Sequence, residues 1–114
     1  MFGYANNTDT IPPVQTIMAC IIAIKIAPNI DESSLVPYLQ CVAKLNKLLL
    51  EYQELQDETE KKKLEKNIRN VGESLDEIGG HQLMELTCTY LTPNYDLAKD
   101  TEYIWSGIGG HWYP

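Results

Sequence analysis

Apolar residues recur by threes and fours in two neighbouring stretches of the chain. The first seam is Leu35, Tyr38, Val42, Leu45, Leu49 and Tyr52; the second is Leu64, Ile68, Val71, Leu75 and Ile78. That rhythm keeps side chains on one face of a 3.6-residue helix, where they can be buried together. The seams are out of phase, and extending the second one backwards reaches Asp57, Lys61, Glu54 and Lys47, all charged. The segment from Gln56 to Lys63 contains no apolar residue. A single rod would therefore aim its two stripes in different directions, whereas a break near Asp57 lets the second stripe fold onto the first. The sequence predicts an all-α fold, a small bundle of four to five helices built on an antiparallel helical hairpin of about 34–56 and 58–78. Asp57 with Glu60 three residues later has the form of a helix start, and Ser33 or Ser34 is expected to cap the first arm.

The remaining pattern adds elements around this hairpin. Pro12 and Pro13 open an apolar run, Val14 to Ala27, and Pro28 supplies a stop. Alternation over Met18, Cys20, Ile22, Ile24 and Ile26 would suit a strand. Three alanines and the flanking prolines favour a helix buried in the core. The run is too short to span a bilayer, which needs about 20 apolar residues, and no basic residue precedes it as in a secretory signal. Gly79-Gly80 is expected to end the hairpin, glycine being tolerant of the backbone conformations found at helix ends. His81 to Leu91 then reads as a short helix with Leu83, Met84, Thr87, Tyr90 and Leu91 inward. Tyr95 to Ile104 reads as a last helix, capped by Asn94 or Asp96. The whole forms one domain, 1–114, with a loose arm (1–11) and a glycine- and aromatic-rich tail (106–114). The broadly apolar first arm of the hairpin should be central, covered by its partner on one side and by the 14–27 element on another.

Charge narrows the partners. The net charge is −7, and residues 51–80 carry nine acids against five bases. Such a surface repels phosphate backbones, which argues against nucleic acid. Lys61, Lys62, Lys63, Lys66 and Arg69 form the one basic run and read as a solvated helix end with ion pairs four residues apart. Cys20, Cys41 and Cys88 have no close-spaced pairing and sit among apolar neighbours, the usage of reduced, buried thiols in a cytoplasmic protein. No membrane association is expected.

Candidate chemistry is sparse. Ile78-Gly79-Gly80-His81 recurs as Ile108-Gly109-Gly110-His111, which two glycine helix stops explain. A phosphate loop at Gly107-Ile108-Gly109-Gly110 would need a following helix, and only four residues follow. His81, Glu85 and Cys88 share a helix face and are metal-ligand types, with His111 able to approach from the tail. His81 and Cys88 stand roughly 10 Å apart along the axis, too far for one ion to join them without help. No serine or threonine lies in an arrangement that marks it as an activated nucleophile, and no cofactor is implied. Six of the ten aromatic residues fall in the last 25 positions. Trp105, Trp112 and Tyr113, with His111, form a candidate partner-docking segment; the competing expectation is that Trp105 plugs the bundle while the glycine-rich turn lets Trp112 and Tyr113 fold back over it. These features favour a non-enzymatic interaction or regulatory (adaptor) protein working through its acidic hairpin and C-terminal aromatics. Its partner would be another protein or a second copy of itself in a homodimer. The alternative is a small-ligand or metal-binding module using His81, Glu85, Cys88 and His111.

Overall fold

The computed structural model describes residues 14–27 and 30–108. The expected arm 1–11, the stop at Pro28 and the tail beyond Ile108 lie outside the described residues. Four helices pack against one another, and no strand occurs among the described residues: α1 (Val14–Ile26), α2 (Leu35–Glu54), α3 (Glu58–Tyr90) and α4 (Tyr95–Ile104).

The expected break between the hairpin arms is present. Leu55 leaves the helix in an extended conformation, and the Asp57 side chain accepts from the Thr59 N–H at 3.1 Å to start α3. The two seams meet: Tyr38, Val42, Leu45 and Leu49 of α2 are buried together with Ile68, Val71 and Leu75 of α3. At the other end the serines behave differently from expectation. A 3-10 turn (Glu32–Ser34) runs directly into α2, so Ser34 is already helical and its side chain makes no cap bond. The Ser33 hydroxyl donates to Asp31 instead, at 3.0 Å.

Gly80 divides α3 into arms 58–79 and 81–90, its φ of 73° and ψ of −170° lying where only glycine is at ease. Hydrogen bonds give the direction of each arm. Tyr52 on α2 donates to Glu65 near the start of α3, so the first arm runs antiparallel to α2. Tyr38 pairs with Thr87, Asn46 with the Leu91 carbonyl, and Gln53 with Asn94. Positions rise together along both partners, so the second arm runs alongside α2 in the same direction. Lys61 and Glu65 act on Asp100, while further along the Trp105 indole bonds the Ile68 carbonyl and lies against Gly72, so α4 runs with the first arm of α3. The result is an up-down-up-down arrangement, with α1 laid across α2 and α3. As expected, α2 has α3 on one side and α1 on another.

Two side-chain junctions hold the corners. Asn46 donates both to Val42 of its own helix (3.0 Å) and to the Leu91 carbonyl (2.7 Å), closing the C-terminal end of α3. Asn94 accepts from the Leu97 N–H at 2.9 Å as the cap of α4 and donates to Gln53 at 3.0 Å.

Candidate interaction surface

α1 is apolar nearly all round, with Gln15, Thr16 and Lys25 its only polar side chains. A helix of that composition normally lies in an interior. Here one face, Cys20, Ala23 and Ile24, is buried against the bundle. Val14, Met18, Ile22 and Ile26 stand on the other, 55–69% exposed. The expectation of a buried core helix is thus corrected: among the described residues α1 is covered on one side, by α2 and α3. The four exposed residues are spaced by four, so they form one continuous ridge. Beside the ridge an apolar cleft opens between α1 and the second arm of α3, lined by Ala19, Ala23, Leu86, Tyr90 and Leu91 together with Ile22 and Ile26. Tyr90, expected inward, is 73% exposed at the edge of this cleft, because the arm turns Leu83, Met84, Thr87 and Cys88 to the core instead.

Of the four candidate partner-docking residues, Trp105 alone lies among the described residues. Trp105 is completely buried. Its indole N–H donates to the Ile68 carbonyl at 2.8 Å, and the ring lies over Gly72, where a Cβ would come within 2.6 Å of the indole Nε1. Trp105 therefore plugs the bundle, the part of the competing expectation that falls on described residues, and presents no face to a partner in this structure. His111, Trp112 and Tyr113 lie outside the described residues. Among the described residues the exposed aromatics are Tyr90, Tyr95 and Tyr103, the last two on the outer side of α4, with the Lys99 ammonium 5.6 Å from the Tyr95 ring centroid.

Of the metal-ligand set, His111 lies outside the described residues, and His81, Glu85 and Cys88 do not gather into one site. His81 Nε2 lies 3.1 Å from Glu85 Oε1 one turn on. Cys88 turns towards α4, its thiol donating to the Ala98 carbonyl at 3.2 Å. Burial, reinforced by the nearby Glu102 carboxylate, pushes that thiol up to about 12, so it is not a thiolate at neutral pH. No group of three His, Cys, Asp or Glu side chains able to hold an ion occurs among the described residues. Cys20 and Cys41 are also free, and burial raises both, Cys20 to about 11.

The basic run is only partly a solvated helix end. Lys63 pairs with Glu60 at 3.5 Å, three residues rather than four away. Arg69 instead reaches across to the C-terminal end of α4, donating to the carbonyls of Ile104 (2.7 Å) and Ser106 (3.0 Å), where a cation meets the negative end of the helix dipole. Lys61 stands 5.3 Å from the centroid of the Tyr52 ring. The cap roles of Asn46 and Arg69 escape sequence reading, since both depend on which helix end folds alongside.

No helix among the described residues is long and apolar enough to cross a membrane. Comparisons of the chain with protein-family models, with curated proteins and with solved structures find no match.

Proposed function

We propose that the chain is a non-enzymatic interaction protein, of the regulatory or adaptor kind, that works by docking another polypeptide. The observation that supports this best is the bare ridge of α1, where four large aliphatic side chains meet water beside an apolar cleft. Leaving such a row exposed costs the folded chain the stabilisation that its burial would supply, roughly 1.5–3 kcal/mol for each side chain fully covered. Grouped apolar exposure of this kind marks interaction sites more often than scattered single residues do. The acidic hairpin shapes the choice of partner by repelling polyanions, and Trp112 and Tyr113 supply further anchoring groups at the C-terminus. The raised thiols favour the same reading, since protonated, buried cysteines are poor nucleophiles.

The test is affinity capture of a tagged copy from cells that also make the untagged chain, comparing the original protein with Ile22→Glu. A polypeptide recovered in stoichiometric amount with the original and lost with Ile22→Glu is the expected result. Recovery of the tagged chain alone would overturn the reading.

A further inference from the structure

We infer that the polypeptide covering the α1 ridge is a second copy of this chain, giving a two-fold dimer in which two α1 helices cross. This rests on the interaction reading above and names its partner.

Three observations carry it. First, the ridge and its receptor lie side by side on one molecule. Val14, Met18, Ile22 and Ile26 form a row spaced by four, and Ile22 and Ile26 also wall the cleft towards Tyr90. A two-fold axis through such a face sets each ridge into the other copy's groove, the self-complementarity that an isologous contact requires. Rows spaced by four pack into one another at a crossing angle of about −50°. The crossing then falls between Met18 and Ile22, the middle of the ridge.

Second, charge directs copies to this face. Each chain carries a net charge of −7, with most of the excess acid in residues 51–80, so two copies repel over the hairpin. α1 contains one charged residue, Lys25, and the ridge itself contains none. The same composition disfavours a lipid surface, because interfacial helices carry a basic polar face and α1 has no such face.

Third, the area is sufficient. Val14, Met18, Ile22, Ile26 and Tyr90, all more than half exposed, present on the order of 500 Å² between them, so pairing removes on the order of 1,000 Å² in all, the lower limit for a specific interface. An interface of that size dissociates on dilution, so the dimer is concentration-dependent.

The test is sedimentation equilibrium of the purified full chain from low micromolar to near-millimolar concentration. The original protein is expected to pass from its 12.9 kDa monomer to twice that mass. Met18→Glu and Ile22→Glu, made separately, should each weaken association by about tenfold or more. Both sites are exposed, so helical circular dichroism should stay unchanged. Tyr103→Glu, on an exposed site of α4, should dimerise like the original. A monomer at every concentration, or a dimer indifferent to both α1 variants, would overturn the inference. A monomer that still captures an Ile22-sensitive polypeptide in cells would sink the second copy and leave the interaction reading standing. Flotation of the original chain with phosphatidylcholine–phosphatidylglycerol vesicles, lost in Ile22→Glu, would assign the face to lipid and also overturn it.

Discussion

The buried contact between α2 and the second arm of α3 depends on a single proton. Thr87 donates its hydroxyl hydrogen to the Leu83 carbonyl at 2.7 Å, so at the 2.7 Å contact with Tyr38 it can only accept. Tyr38 is the donor. Thr87→Val should therefore leave a buried phenol without its acceptor and cost about 1–3 kcal/mol, while Tyr38→Phe removes the donor and costs about 1 kcal/mol. In urea titrations, adding Tyr38→Phe to Thr87→Val should recover part of the loss; strictly additive losses would contradict the assignment. The buried thiols make a separate prediction. Cys20 and Cys88 are held at about 11 and about 12 against an ordinary value of 9.0. The folded state therefore keeps these protons more tightly than the unfolded chain. That contribution is complete below about pH 9 and is lost as pH rises through 11 to 12. Melting temperature should fall across this alkaline window, and a level profile there would contradict the burial of both thiols.

Much of the helical layout was legible from periodicity, and the parts that were not have identifiable causes. The phase mismatch between the seams located the turn at Asp57, because seven-residue stepping backwards from Leu64 and Ile68 runs into charge. The glycine pair located the next reversal, although the two arms of α3 meet at Gly80 with almost no loop between them. Gly80→Ala should cost about 1–3 kcal/mol through backbone strain alone, since nothing lies within 4 Å of the added Cβ. Gly72→Ala should cost a similar amount, about 1–3 kcal/mol, by overpacking, and should also shift the fluorescence of Trp105, whose ring occupies that space. Unshifted emission would mean that the indole is not seated there. Periodicity could not foresee Gly72, because the notch matters only once α4 is laid along α3. It could not foresee the bareness of α1 either. A run such as Ile21, Ile22, Ile24 and Ile26 shows which side chains are apolar, while the number of neighbours depends on how the other helices are arranged. Tyr90 departs from its expected inward position for a related reason: the turn at Gly80 directs Thr87 and Cys88 to the core and leaves Tyr90 at the edge.

Taken as a whole, the molecule is a four-segment bundle closed on itself, with a fifth segment, α1, covered on one side. The candidate site follows from that mismatch between an all-round apolar helix and a bundle too small to enclose it. Two methionines report on it without any substitution. Met18 stands on the ridge, 57% exposed, whereas Met84 is completely buried in the core. Oxidation of a thioether follows its accessibility. The most direct measurement is dose-limited peroxide oxidation of the full chain at low and at high protein concentration, read by peptide mass spectrometry. Met18 should be oxidised far faster than Met84 in dilute solution and become protected as concentration rises, while Met84 stays slow throughout. Equal protection of both methionines at the lowest concentration would mean that the ridge is already covered within one chain, contradicting its role as the docking face.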